Sequence, residues 1–249
     1  MEIRVSCQTD IGLKRTHNED AVKIYENAYC KMLVVADGMG GHEAGDVASK
    51  MVLEVLDERF HQALNFKTSQ ELQEFVTDVL GTMNKNIIDY IESNHIVHGM
   101  GTTIVLAILT NDFIGVAHVG DSRAYLYANG ELNQVTRDHT FVRRLVEEGK
   151  LTEDEAKKHP HRHVIMNALG VNQALKFDYI LIEKYELNSL LLCTDGLCSL
   201  IEDDEILNSL ASSDQTEEKV RQLIKKANDK GGNDNISIAL LECVEGSCA

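Results

Sequence analysis

Apolar positions along the chain of 249 residues fall into two kinds of run. Short stretches dominated by apolar residues recur at 31–36 (KMLVVA), 102–109 (TTIVLAIL), 113–119 (FIGVAHV), 123–127 (RAYLY), 177–183 (FDYILIE), 189–194 (SLLLCT) and 236–241 (ISIALL). Their length and composition predict strands. Elsewhere the spacing changes to a helical one. Ala44, Val47, Ala48, Met51, Val52 and Val55 share one face, and Leu72, Phe75, Val76, Val79, Leu80, Met83, Ile87 and Ile91 share another. Shorter helical patterns follow at 139–148, 152–158, 203–211 and 216–229. The order is therefore strands, two consecutive helices, a strand meander, then helices and a last strand. Consecutive meander strands favour antiparallel pairing, and grouped helices favour layers over a doubly wound sheet. The expected class is an α+β layered sandwich.

Composition narrows the candidates. With 43% hydrophobic and 26% charged residues, the chain can bury a sizeable core as one large domain or two small ones. There is no low-complexity segment, no repeat of fixed period and one proline, Pro160, so nothing marks a domain boundary. No apolar run reaches the roughly 18 residues of a spanning helix, and the start MEIRVSCQTD lacks the pattern of a signal peptide. The expectation is a cytoplasmic protein without a membrane partner. Cys7, Cys30, Cys193, Cys198, Cys243 and Cys248 contain no C-x-x-C pair, which suits buried reduced thiols rather than disulfides or zinc. A net charge of -16 opposes nucleic acid and leaves carboxylates available for cations.

Four aspartates occupy one kind of place. Asp37 ends LVVAD, Asp121 follows GVAHVG, Asp195 ends LLLCTD, and Asp234 in GGNDNISIALL precedes the last strand. Each alone suits a turn beside its glycine. As a set at strand edges, they can converge on one cleft and hold a hard cation such as Mg²⁺ or Mn²⁺.

At this point the motifs carry a resemblance. TDIGLKRTHNED (9–20), VVADGMGGHEAG (34–45), GMGTT (99–103), VGDSRAY (119–125), TRDHTFVRRLVEEG (136–149), HPHRHVIMNALG (159–170), CTDGL (193–197) and GGNDNIS (231–237) resemble, in order and over nearly the whole chain, the metal-dependent type 2C serine/threonine protein phosphatases, most closely their compact bacterial branch. The resemblance implies a four-layer α-β-β-α sandwich, two antiparallel sheets flanked by helix pairs, in one catalytic domain spanning 1–249 with a flap over about 137–168. It also implies a centre of two tight Mn²⁺ or Mg²⁺ ions and hydrolysis of phosphoserine and phosphothreonine by a water that bridges them. By the same resemblance Asp37 bridges the ions and the Gly38 carbonyl binds one of them. Asp195 and Asp234 complete the ligands of the first ion, and Glu19, or Asp20 through a water, serves the second ion. Asp121 helps hold a third, weaker ion. Arg15 matches the phosphate-binding arginine, and a guanidinium can grip two phosphate oxygens.

Two departures matter. Better-known eukaryotic members have a histidine two residues after the bridging aspartate, proposed as general acid, where this chain has Met39. His42 is the nearest histidine and the candidate proton donor, with helix entry as its alternative role. The segment HPHRHV places His163 where relatives often have an amide. The flap is otherwise basic, with Arg143, Arg144, Lys157, Lys158 and Arg162, which suits an anionic phosphopeptide; Arg143 and Arg162 are the expected substrate contacts beyond Arg15. Ser122 and Arg123 are expected to organise the turn around Asp121, and Cys193 to be a buried strand thiol. The expected partners are phosphorylated proteins and a cognate Ser/Thr kinase, and the chain is expected to be a monomer. The alternatives are a two-metal phosphoesterase acting on small phosphorylated metabolites, and a silent phosphoprotein-binding domain, which would ordinarily have lost a metal ligand.

Overall fold

The apolar runs become strands that all pair antiparallel. The computed structural model describes residues 2–40, 43–60, 65–96, 99–183 and 187–244. Strands β1 (Glu2–Asp10), β2 (Asp20–Glu26) and β3 (Lys31–Met39) precede helices α1 (Glu43–Phe60) and α2 (Ser69–Ser93). The meander follows as β4 (Gly101–Thr102), β5 (Ile104–Leu109), β6 (Phe113–Val119), β7 (Arg123–Ala128) and β8 (Glu131–Gln134). After α3 (Phe141–Glu147) and α4 (Glu153–Lys158) come β9 (Asp178–Glu183), β10 (Ser189–Cys193), α5 (Asp195–Cys198), α6 (Asp203–Leu210), α7 (Thr216–Asp229) and β11 (Ile236–Val244). One sheet has the order β1-β11-β10-β7-β8, the other β2-β3-β5-β6-β9 with the short β4 on β3.

The strand runs are continuously apolar because both of their faces are covered. In β5, Ile104, Leu106 and Ile108 pack with α1 and α2, whereas Val105, Ala107 and Leu109 meet the other sheet. In the sheet that contains β10 and β11, Leu191, Ile238 and Leu240 pack with α6 and α7, and Leu190, Leu192, Ala239 and Leu241 meet the sheet that contains β5. This is the expected four-layer sandwich. Helix α2 buries Leu72, Val76, Val79, Leu80, Met83 and Ile87 along one stripe, each worth about 2 kcal/mol of removed apolar surface. Its start is fixed by Thr68, whose hydroxyl accepts from the Glu71 amide at 3.1 Å.

Three strands depart from the sequence expectation. Strand β1 has no buried residue; its pairing with β11 over the register Glu2↔Val244 to Asp10↔Ile236, not its own pattern, makes it a strand. Strands β2 and β8 were likewise not expected, and the expected strand 102–109 breaks at Thr103, whose amide donates to the Asp37 carbonyl at 2.9 Å. Asp37 does not end its strand: β3 continues to Met39 by pairing with β4. The described cysteines are reduced thiols, but Cys7 is exposed and Cys198 and Cys243 are half-buried, so burial holds fully for Cys30 and Cys193 alone among them; Cys248 lies outside the described residues. No helix among the described residues is long and apolar enough to cross a membrane.

Candidate metal centre

Antiparallel register brings one end of both sheets together and the aspartates with it. Asp20 at the start of β2 stands opposite Asp37 in β3. Asp121 follows the end of β6, and Asp195 opens α5 just after β10. Asp234 lies two residues before β11, whose start pairs with the end of β10. Asp20 and Asp121 are buried, while Glu19, Asp37, Asp195 and Asp234 are half-buried, so the group lines a cleft that remains open to solvent.

The electrostatics of this edge are unbalanced. Loss of hydration first, and then repulsion from Asp20, Asp195, Asp121 and Asp234, hold the Asp37 carboxyl well above the usual carboxylate range. Burial likewise pushes Asp20 up to about 7, Asp121 up to about 8 and Asp195 up to about 6, with neighbouring aspartates adding to each. Oδ1 of Asp121 and Oδ1 of Asp195 have no hydrogen-bond donor although both atoms are buried. Arg123, a half-buried cation that acts on Asp121 and Asp195, is committed to Asp138 through Nε at 2.9 Å and Nη2 at 2.7 Å. Crowded carboxylate oxygens, two of them orphaned, are a donor set that suits a hard divalent cation.

The glycine run after Asp37 serves the same edge. A β-carbon on Gly45, in the first turn of α1, would come within 2.4 Å of Glu19 Oε2 and 2.8 Å of the Gly38 carbonyl oxygen. The helix can therefore approach these two oxygens only with glycine there. Glu19 and the Gly38 carbonyl are thus brought to one place. His42, the candidate proton donor, lies outside the described residues.

Several supporting residues escaped the sequence reading. Asn235 accepts from the Glu19 amide at 2.8 Å and donates to the carbonyls of Ile11 at 2.9 Å and His17 at 3.0 Å. It thereby fixes the loop that carries Arg15. Thr194 donates to Asp20 Oδ2 at 2.8 Å. Thr103 accepts from the Asp37 amide at 3.0 Å and shares a hydrogen bond of 2.7 Å with Ser122. Only position, beside Asp195 or Asp234 or in GMGTT, could have flagged them. Ser122 braces the turn around Asp121 as expected, but Arg123 reaches instead to Asp138 and Tyr125.

The basic residues divide by what they touch. Arg15 Nη2 lies 2.7 Å from Asp234 Oδ2 at the mouth of the cleft, with about half of its side chain exposed. Arg143 is bound within the flap, to Glu153 at 2.7 Å and Glu147 at 3.5 Å, so it joins α3 to α4. Arg162 is exposed on the turn after α4. Neighbouring His163 has its charged form disfavoured by burial and by Arg162 and favoured by Asp234, which brings this turn within electrostatic range of the carboxylates.

A second group could be mistaken for a metal site. His118, His139 and Asp178 each bring one ligand-type atom within 4.8 Å of the others. However, the Gly120 amide donates to His139 Nδ1 at 3.2 Å. A backbone amide only donates, so Nδ1 carries the lone pair and Nε2 carries the proton, facing Asp178 Oδ2 at 3.3 Å. A cation at Nε2 would need the lone pair that this arrangement does not offer.

The chain is similar to proteins already known. The family model described as protein phosphatase 2C matches residues 13–241. The serine/threonine phosphatase Stp of Listeria welshimeri is 38% identical over 236 residues, covering 94% of this chain and 94% of that protein. The crystal structure of the serine/threonine phosphatase Stp1 from Staphylococcus aureus aligns with a TM-score of 0.91 at 35% identity, covering 99% of this chain and 96% of that one. The catalytic domain of the serine threonine protein phosphatase PstP, solved in complex with two manganese ions, aligns with a TM-score of 0.85 at 34% identity, covering 98% and 99%.

Proposed function

The chain belongs to the protein phosphatase 2C family, and from that premise we propose that it is a metal-dependent serine/threonine phosphatase whose carboxylate edge is the catalytic centre. The observation that carries this reading is the convergence of Asp20, Asp37, Asp121 and Asp195 with raised proton affinities and two orphaned oxygens, in the fold that in PstP holds two manganese ions. In this assignment Asp37 would be shared between two ions, Asp195 and Asp234 would serve one, Glu19, or Asp20 through a water, would serve the other, the Gly38 carbonyl would bind one of the two, and Asp121 with Asp195 would serve a weaker third. Mn²⁺ or Mg²⁺ bound there would supply charge compensation for the phosphoryl oxygens and lower the pKa of the attacking water.

The chain's own groups do the rest. Asn235 and Asp234 hold Arg15 at the mouth, where its guanidinium can donate two parallel hydrogen bonds to a phosphate monoester and set it for in-line attack by water. Thr103 ties the Asp37 backbone to Ser122 and so keeps Asp37 and Asp121 at a fixed separation. Residues 1–249 act as one catalytic domain, and 137–168 act as a flap whose Arg162 meets the peptide around the phosphorylated residue. His42 is the proposed proton donor to the leaving oxygen. The substrates are phosphoproteins made by a cognate Ser/Thr kinase in the cytoplasm, and the enzyme works as a monomer.

The deciding experiment compares hydrolysis of a phosphothreonine peptide with that of mononucleotides, in Mn²⁺ and in chelator. Peptide turnover that depends on Mn²⁺ and exceeds nucleotide turnover is expected. Preference for nucleotides would favour a small-molecule phosphoesterase, and absence of turnover a binding domain.

A further inference from the structure

His139 stands where three parts of the molecule meet. Its backbone amide donates to the Gly120 carbonyl at 2.7 Å, and the Gly120 amide donates back to its ring at Nδ1. Its carbonyl accepts from the Met166 amide at 2.7 Å, and the next residue, Thr140, pairs with Ile165 and caps α3 by accepting from the Arg143 amide. Both ends of the 137–168 segment are therefore fastened at His139. Gly120 in turn precedes Asp121 and has φ 112°, and a β-carbon there would meet the Thr103 side chain at 2.5 Å. The backbone that carries Asp121 is thus held from one side by Thr103 and from the other by His139.

The ring is held in one state by its surroundings. Asp178, opposite His118 on the neighbouring strand, accepts from Nε2 and leaves Nδ1 as acceptor for the Gly120 amide and for Asn167 Nδ2, at 3.2 Å from each. The His118 ring backs it with centroids 4.6 Å apart; His118 is itself fully buried, and neither of its nitrogens has a partner at normal hydrogen-bond distance. The arrangement Asp178···H–Nε2, Nδ1···H–N Gly120 reads as an orienting relay.

We infer that His139 is a positioning residue: it couples the root of the flap to the backbone of Asp121, so that the flap and the Asp121 carboxylate are set as one unit. This rests on the reading of Asp121 as a cation ligand. Two variants separate the relay from a general packing role. His139→Asn keeps an acceptor oxygen near the place of Nδ1, whereas His139→Leu fills the space and accepts nothing.

In metal-free protein, amide exchange at Gly120 should accelerate roughly tenfold in His139→Leu and remain near the wild-type rate in His139→Asn. In Mn²⁺ calorimetry, His139→Leu should weaken the weakest ion by roughly tenfold while leaving the tight ions within about twofold, with His139→Asn again restoring most of the loss. Should His139→Leu not fold, Asp178→Ala, at a half-exposed position, should shift both readouts in the same direction and less. Equal exchange at Gly120 in wild type and His139→Leu would overturn the inference, as would accelerated exchange with unchanged affinity for the weakest ion. Wild type that binds no Mn²⁺ would refute the metal reading of the centre and with it the coupling to Asp121, while the exchange comparison would still show whether His139 holds Gly120.

Discussion

Two charged regions of the molecule are buried, and they are built in opposite ways. Between β11 and α7, Lys219 Nζ sits 2.7 Å from Glu242 Oε1, donates also to the Leu210 carbonyl at 2.7 Å, and Glu242 Oε2 accepts from Thr216 at 2.7 Å. Both side chains are under 10% exposed, and each charge has its opposite and its hydrogen bonds within the chain. At the carboxylate edge, like charges crowd together and buried oxygens have no donor. A fully satisfied pair needs nothing from solution and reads as structure. An unbalanced cluster is stable only with protons or cations taken from solution, and so reads as a binding site.

The largest expected effect is at the unbalanced region. Asp37→Asn should lower turnover of p-nitrophenyl phosphate by about a thousandfold or more, yet leave the metal-free protein at least as stable as wild type, because it removes one of several repelling carboxylates. Steady-state assays with saturating Mn²⁺ and chemical denaturation in chelator check the two halves. A large loss of metal-free stability would place Asp37 with the structural charges instead.

At the balanced region the reverse is expected. Lys219→Met leaves Glu242 buried and unpaired and should cost about 3–5 kcal/mol of stability, with turnover per folded molecule unchanged. The double change Lys219→Met with Glu242→Leu should recover more than half of that loss in urea denaturation.

The pH dependence of the metal-free protein sharpens the contrast further. Asp20 and Asp121 are held up at about 7 and about 8 from 3.8, so folding takes up protons and stability falls as pH rises toward those values. His118, pushed by burial to about 4 from 6.5, works in the opposite sense, but its contribution is complete above pH 6.5. Between pH 6.5 and 8 the melting temperature in chelator should therefore decline, and saturating Mn²⁺ should remove the decline. A melting temperature in chelator that is flat over this window would contradict the protonation described for the edge.

The smallest effect is expected at Arg162 of the flap, whose side chain is exposed. Arg162→Ala should slow phosphopeptide hydrolysis about threefold and leave p-nitrophenyl phosphate unchanged, since exposed charges contribute little. Arg15→Ala should impair both substrates alike, and kcat/KM for the pair of substrates separates the two roles.

Much of this was legible in the chain because it rests on local pattern. The apolar runs of β5, β10 and β11 and the long stripe of α2 identify themselves, and Asp121, Asp195 and Asp234 stand at the edges of such runs. Strand β1 was not legible, because its residues are half-buried or exposed and only the β11 register makes them a strand. The same holds for the pairing of Asp20 with Asp37, which depends on β2 folding back on β3. Asn235 and Thr194 were hidden for a related reason: their hydrogen bonds span separations of 216 and 174 residues, and a polar residue's distant partner leaves no trace in local spacing. His139 belongs with these, since its role is defined by Gly120 and Met166 rather than by the sequence around it.

The central claim is that the carboxylate edge is a cation site, and the most direct measurement is calorimetric titration of Mn²⁺ into metal-stripped protein near neutral pH. Two tightly bound ions are expected, accompanied by proton release because Asp20 and Asp121, held up at about 7 and about 8, are partly protonated near neutral pH without metal, and the tight binding should be lost in Asp37→Asn. Absence of binding, or tight binding undiminished in Asp37→Asn, would contradict it.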